Sequence, residues 1–401
     1  MLPSQAHKNI WLLKDVGSFA QPRLLGCQGC LDVTVCGGLH LPNGSAMLTC
    51  LDHCSCTAER NCDFVCPHRP SAYAKRVREV QGFRLDNIPC KATPQQPSLP
   101  NLAAIIEGRI TRGRPVELEF ASIPLTRALT GRGQKTRAKT AEEIIRTHGV
   151  TPKKGWIVTG TEDDRYVERT WGLARPREIF KSMKAAGVAF ATSPNYSLYA
   201  DSPRHDNLHA MKRIAWMWYM MNDAGLPTAL HINGRTDRDF ERWAEFIAAR
   251  PEVTSIACEF LTGAKLAGDA DRLIARLTTL REHVGRPLLI VVRGAGEHAQ
   301  RLRAVFEQVL WLSAGAYLKA VHRQAPTLGN DQILRFKSRN EPRNAPIGTL
   351  FKQIVSATER RYHSATISMT PSPQGSFDFQ PVESPSQMST NDTPDQLNLF
   401  A

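Results

Sequence analysis

The sequence predicts an α/β protein built on a (β/α)8, TIM-like barrel, and three observations carry that expectation. Across residues 187–263 an apolar, strand-like run ends in polar residues and is followed by a helical stretch, and the pattern occurs three times. The intervening stretches, residues 207–224 and 237–250, place apolar residues at three- and four-residue spacing, the period of a helix with one buried face. Short buried strands alternating with such helices imply parallel strands joined by crossovers. Third, no G-x-G-x-x-G follows any strand run. That argues against the open, dinucleotide-binding sheet that is the main alternative.

Taken in order, the chain opens on a cysteine-rich stretch. Of ten cysteines, only Cys258 lies beyond residue 90. Cys27, Cys30, Cys36, Cys50, Cys54, Cys56, Cys62 and Cys66 are interleaved with His53 and His68. The start of the chain lacks the charged-then-apolar layout of a secretory signal, so a cytoplasmic protein is expected. In a reducing compartment close thiolates repel one another unless a metal neutralises them, so these eight are read as metal ligands. Cys27-Gln-Gly-Cys30 is the one clean C-x-x-C pair, and Cys62-Asp-Phe-Val-Cys66-Pro67 matches the C-x3-C-P ending of ferredoxin-type runs. A 4Fe-4S iron–sulfur cluster is therefore favoured over zinc, in a structural role, within a module spanning residues 20–90. Cys258, inside an apolar strand, reads as a core residue.

A short basic helix is expected over residues 71–81, and a Pro- and Gln-rich linker over 91–100. The barrel domain is placed at residues 101–360. Strand runs fall at residues 115–120, 155–159, 188–192, 227–231, 253–260, 287–292 and 309–313, with a further strand possible at 316–321. Seven secure runs leave an irregular or edge strand to complete eight. Residues 126–139, rich in Gly, Arg and Lys without periodicity, read as a mobile loop. Thr140-Ala-Glu-Glu143 has the form of a capping box, opening a helix that ends near Gly149. Trp216, Trp218 and Trp243 lie on helices and read as packing against the sheet. From residue 364 to 401 the composition turns to Ser, Thr, Pro, Gln and Asn, that of a disordered tail.

Polar residues gathered where parallel strands end mark the usual α/β active site. Here they are Glu162, Asp163 and Asp164, Asn195 and Asp201, His231 and Asn233, Glu259, and Arg293, with Lys319 a further possibility. Glu162, Asp163, His231, Asn233, Glu259 and Arg293 form the catalytic candidate set. Facing carboxylates can bind a divalent metal or divide acid and base roles, His231 can act as base or ligand, and Arg293 can hold a phosphate. Simpler roles compete. Asp163 or Asp164 can cap the helix that follows, and a strand-end histidine is often structural. Glu259 is harder to set aside, because it interrupts an apolar strand and would otherwise be buried alone.

A net charge of +13 favours a polyanionic partner. No basic amphipathic membrane helix and no long apolar run is evident, so the expected partner is nucleic acid and not a membrane. Arg132, Lys135, Arg137 and Lys139 are the expected contacts, with a solvated loop as the alternative.

Two resemblances add to this reading. Ser193-Pro-Asn-Tyr-Ser-Leu-Tyr199, with Asp201, Pro203, Arg213 and Gly225-Leu-Pro227, resembles an uncharacterised family of barrel-type proteins from phages and mobile elements, which implies a setting of phage or plasmid DNA metabolism. The chain's last residues, Asp395-Gln-Leu-Asn-Leu-Phe-Ala401, resemble the Q-L-S/D-L-F peptide that docks bacterial replication and repair proteins on the DNA polymerase sliding clamp. Gln396, Leu397, Leu399 and Phe400 match it, while Asn398 departs from the usual small or acidic residue. The resemblance implies that the clamp is a partner. Together these features point to a DNA-associated metalloprotein that processes nucleic acid, by hydrolysis or base modification. The competing functions are a non-catalytic DNA-binding initiator or adaptor, and an iron–sulfur barrel enzyme acting on a small molecule.

Overall fold

The computed structural model describes residues 70–111, 113–199, 204–261, 268–294, 296–328, 334–340, 342 and 345–364. The eight proposed cysteine ligands, the clamp-peptide residues, Asp201 and Pro203 lie outside them. The chain divides into two units, Met1–Thr366 and Ile367–Ala401, and every described residue belongs to the first.

The described chain starts with helix α1 (Pro70–Glu79) and enters the sheet at β1 (Leu102–Ala104) and β2 (Val116–Pro124). A small hairpin, β3 (Leu129–Thr130) and β4 (Arg137–Ala138), precedes α2 (Ala141–His148) and β5 (Val150–Thr159). Then follow α3 (Asp164–Trp171), α4 (Pro176–Ala185), β6 (Val188–Thr192), α5 (Arg204–Asp223), β7 (Thr228–His231), α6 (Asp237–Ala248) and β8 (Ser255–Glu259). The remaining elements are α7 (Asp269–Val284), β9 (Leu289–Arg293), α8 (Ala299–Val305), β10 (Gln308–Ser313), α9 (Gly315–Val321), the hairpin β11 (Gln324–Leu328) and β12 (Leu334–Ser338), and α10 (Gly348–Ser364).

Local sequence accounts for several of these boundaries. Thr140 and Glu143 form the expected capping box on α2: the Thr140 hydroxyl accepts from the Glu143 N–H at 3.3 Å, and the Glu143 carboxylate accepts from the Thr140 N–H at 2.8 Å. Gly149 ends that helix at φ 66°, and a Cβ there would lie 2.5 Å from the Thr111 carbonyl, so glycine is required. Thr236 and Asp239 make the equivalent box on α6.

Eight strands form one sheet in the order β1-β10-β9-β8-β7-β6-β5-β2, every neighbouring pair parallel. Its two ends approach each other just past β1. Ile105 bridges Ser122, and the Ile106 N–H donates to the Ser122 carbonyl at 2.8 Å. The result is a nearly closed, barrel-like parallel sheet, consistent with the expected TIM-like architecture. The eighth strand is β1, whose three residues are too few to register as a periodic run. Residues 316–321 are not a strand but most of α9, packed against α10.

Alternation along each strand separates two apolar clusters. Ile105, Phe120, Ile157, Phe190, Ala229 and Ala257 belong to the smaller cluster that fills the barrel. Trp156, Val158, Leu230, Ile256 and Ile290 belong to the larger one, shared with the helices. Trp218, Trp243 and Cys258 are buried there as expected, and Trp216 packs at its margin.

Residues 91–100, expected as a linker, carry no helix or strand, but they and residues 80–90 are tied to the barrel. Val80, Phe83 and Ile88 are fully buried in the outer core. Trp216 Nε1 donates to the Val80 carbonyl at 3.1 Å, and Lys212 Nζ donates to the Arg84 carbonyl and to Asn87 Oδ1. The Arg250 guanidinium donates to the carbonyls of Asp86, Ile88 and Pro89. Farther along, Gln96 donates to the Thr254 and Ser255 hydroxyls at 2.7 Å, and Gln308 donates to the Leu99 carbonyl at 3.0 Å. Ser255 and Gln308 start β8 and β10, and Leu99 joins the inner cluster, so this belt covers the N-terminal end of the barrel.

Residues 126–139, expected to lack regular structure, contain a short hairpin. Residues 125–128 form a turn of 3-10 helix, and β3 and β4 pair antiparallel, with Leu129 opposite Ala138.

A candidate active site at the barrel mouth

Two residues beyond the apolar filling, the inward positions turn polar: Ile157 is followed by Thr159, Phe190 by Thr192, Ala229 by His231, Ala257 by Glu259 and Val291 by Arg293. The C-terminal ends of five strands thus converge on one polar mouth.

Backbone contacts hold the mouth closely. A Cβ on Gly160 would fall 2.2 Å from the Ser193 carbonyl, so only glycine lets the end of β5 approach the turn after β6. The Gly160 N–H donates to Thr192 Oγ1 at 2.8 Å, and the His231 N–H donates to Ser193 Oγ at 2.9 Å.

On this frame the side chains form a connected relay. Asn233 Nδ2 donates to Asn195 Oδ1 at 3.0 Å, and Asn195 Nδ2 donates to Glu259 Oε2 at 3.2 Å. Glu259 lies opposite Arg293 in the β8–β9 register. Arg293 donates through Nη1 to the Thr161 carbonyl and faces Glu107 Oε1 at 3.8 Å through Nη2. Glu162 accepts from both the N–H and the hydroxyl of Thr126, at 2.9 and 2.6 Å.

Burial sets the proton affinities. It raises the Glu259 carboxyl above the ordinary value, and Arg293 and the Asn195 amide pull only part of the way back. Burial likewise raises Glu162 against the Thr126 donors, Arg127 and Arg293. His231 is 2% exposed, its Nδ1 has no hydrogen-bond partner among the described residues, and burial pushes its pKa down to about 3. It is a neutral imidazole at physiological pH. Two carboxyls with raised proton affinity beside a fixed guanidinium suit proton transfer on a bound anionic substrate. Among the described residues no group of three or more His, Cys, Asp or Glu side chains is arranged to hold a metal ion.

Of the six catalytic candidates, Glu162, His231, Asn233, Glu259 and Arg293 meet at this mouth. Asp163 serves the neighbouring helix: it is the N-cap of α3, accepts from the Arg165 N–H at 3.1 Å and pairs with Arg165 Nε at 3.2 Å. Sequence reading missed Thr126 and Glu107. Thr126 sat inside the supposed loop, and Glu107 follows a strand too short to see. Tyr196 and Arg213, two of the residues in the central resemblance, pack together, with the guanidinium 4.1 Å from the ring centroid and paired with Glu168. They build the scaffold behind the mouth.

Of the four expected nucleic-acid contacts, Arg132 and Lys135 are exposed between β3 and β4. Arg137 makes a two-pronged pair with Glu143 at 2.7 and 2.9 Å. Lys139 is half-buried, and burial followed by Arg127 lowers its pKa. Arg127 is exposed and joins the set. Because the β3–β4 hairpin follows the C-terminal end of β2, it belongs to the mouth end of the barrel.

Fold and mouth together give a barrel-like α/β protein with two half-buried carboxyls, Glu162 and Glu259, at its strand ends. Compared with known proteins, the chain matches no family model and no curated sequence. No described helix is long and apolar enough to cross a membrane.

Proposed function

We propose that the protein is a nucleic-acid-processing enzyme whose chemistry takes place at the barrel mouth. The observation that carries this reading is Glu259: a half-buried carboxyl at an inward strand end, oriented by the Asn195 amide and set beside Arg293. In this reading Glu259 transfers the proton, Arg293 and Arg127 hold phosphate, and Glu162, fixed through Thr126, is the second carboxyl. The exposed Arg127, Arg132 and Lys135 at the same end, on a chain of net charge +13, supply attraction for a polyanion.

The test uses full-length protein and labelled DNA. Binding is expected to weaken with salt at a logarithmic slope of about −0.9 per phosphate contacted. Products are resolved on denaturing gels and by mass spectrometry. Glu259→Gln is expected to keep binding and lose product formation. Full product formation by Glu259→Gln rejects the catalytic role, and binding without any product favours the DNA-bound adaptor. A chain that binds no nucleic acid rejects the assignment.

Recruitment and metal binding are part of the same proposal. The match of Gln396, Leu397, Leu399 and Phe400 to the clamp-docking motif supports delivery to replicating or repaired DNA. A peptide of residues 391–401 is expected to bind the bacterial clamp with micromolar affinity, about −8 kcal/mol, and to lose it when Leu399 and Phe400 become Ala. The Cys27–Cys66 spacings support an iron–sulfur cluster. Anaerobic purification is expected to give a coloured protein, whereas a colourless one with stoichiometric zinc would replace the cluster.

A further inference from the structure

Two of the exposed large hydrophobic side chains flank one carboxylate at the mouth's rim. Tyr166, 38% exposed, lies on the first turn of α3, and Tyr199, 42% exposed, lies on the segment after β6. Both are held. The Tyr199 hydroxyl donates to Asp164, its N–H donates to Asn207 Oδ1 at 3.0 Å, and its carbonyl accepts from Asn207 Nδ2 at 2.8 Å. Two guanidiniums lie near the Tyr166 ring, Arg165 at 4.9 Å and Arg169 at 5.4 Å from its centroid. Asp164 also accepts from Ser197 Oγ at 2.6 Å, which fixes the carboxylate that anchors Tyr199.

A pinned aromatic ring left open to solvent has little conformational freedom to lose when a flat partner covers it. Guanidiniums stacked beside such a ring add planar surface and positive charge. On the adjacent strand end, the 125–128 turn bonded to Glu162 carries Arg127, and the hairpin beyond it carries Arg132 and Lys135. Exposed aromatics together with cations at one end of a barrel are the chemistry that binds single-stranded nucleic acid, with bases on rings and phosphates on cations. A base pair inside a duplex offers no free face to such rings.

We infer that the rim formed by Tyr166, Tyr199, Arg165, Arg169 and the β3–β4 hairpin is a stacking platform for single-stranded nucleic acid, which leads an unpaired nucleotide toward Glu259. This rests on the reading of the mouth as a nucleic-acid-processing site and adds strand preference to it.

The experiment measures fluorescence anisotropy of full-length protein with four labelled 12-mers: oligo-dT, oligo-rU, an abasic strand of the same charge, and a duplex. Oligo-dT or oligo-rU is expected to bind about 10-fold more tightly than the abasic strand, and the stronger of the two identifies the sugar preferred. Tyr199→Leu and Tyr166→Leu are each expected to lose about 5- to 10-fold on the base-bearing strand and nothing on the abasic one, while Tyr199→Trp retains affinity. Tyr166 is exposed and makes no hydrogen bond through its ring, so Tyr166→Leu keeps the test valid if Tyr199→Leu disturbs the Asp164 contact. Equal affinity for abasic and base-bearing strands, unchanged binding in both leucine variants, or preference for the duplex overturns the platform but leaves a nucleic-acid site standing. Absence of binding to all four probes overturns both.

Discussion

Thr126 and Glu162 bind each other twice, through the threonine N–H at 2.9 Å and its hydroxyl at 2.6 Å. This pair joins the turn after β2 to the end of β5 and ties the basic hairpin to the polar mouth. It also keeps a half-buried carboxyl supplied with donors on both oxygens, which offsets the cost of taking it partly out of water.

Thr126→Val removes the hydroxyl and keeps the N–H. The lost bond is to a carboxylate, so a destabilisation of about 1.5–3 kcal/mol is expected in urea unfolding. Thr126→Ser, which keeps the donor, is expected to stay within about 1 kcal/mol of the parent.

Asn195 supplies the hydrogen bond found on Glu259 Oε2. Replacing it with Leu removes a donor that favours the ionised form, so the Glu259 carboxyl is expected to hold its proton to higher pH. An infrared titration of the protonated carboxyl band checks this without any substrate. The band assigned to Glu259 must vanish in Glu259→Gln, and in Asn195→Leu its midpoint must move toward alkaline pH.

His148 and His231 give the fold an acid limit. Burial pushes His148 down to about 4, with Lys139 and Arg127 adding to the effect, and His231 down to about 3, against an ordinary 6.5. Below pH 6.5 the unfolded chain takes up protons that the folded one refuses. Stability from these residues is therefore complete above about pH 6.5 and falls as the pH drops toward 4 and 3. For His148 the loss is on the order of 3 kcal/mol. In His148→Phe, unfolding measured from pH 7 to 4 is expected to show a shallower decline than the parent.

Arg250 holds the belt at three carbonyls and accepts no substitute with fewer donors. Arg250→Lys is expected to cost about 1–3 kcal/mol, because an ammonium cannot span the three carbonyls and can leave the buried Ile88 carbonyl without a partner. A urea titration measures the loss, and limited proteolysis is expected to cut within residues 84–96 before the barrel opens.

The sheet was legible where it is made of apolar runs, from Val188–Thr192 through Gln308–Ser313, because burial on both faces leaves a compositional mark. It was illegible at Leu102–Ala104, where three residues suffice because the neighbouring strand supplies the pairing. The mouth was legible through Glu259, a charge in an apolar run. The hairpin and the belt were not, since their contacts run to Glu162, Lys212 and Arg250, partners that no local window contains. For Asp163 the cap, one of the two roles open to it in the sequence, is the one the structure displays. Its Oδ1 accepts from the Arg165 N–H at 3.1 Å.

The pairing of β1 with β10 has a consequence for synthesis. Leu102–Ala104 must wait for Trp311–Ser313, about two hundred residues later. At roughly 5–20 residues per second, that is an interval on the order of 10–40 seconds on the ribosome. Throughout it the three-residue strand has a single bridge, Ile105 to Ser122, and an open edge. The Gln308–Leu99 bond forms only when the last strand arrives. Nascent chains stalled before residue 308 are therefore expected to engage chaperones and resist compaction, and chains released after residue 313 to close within the time that one strand takes to dock.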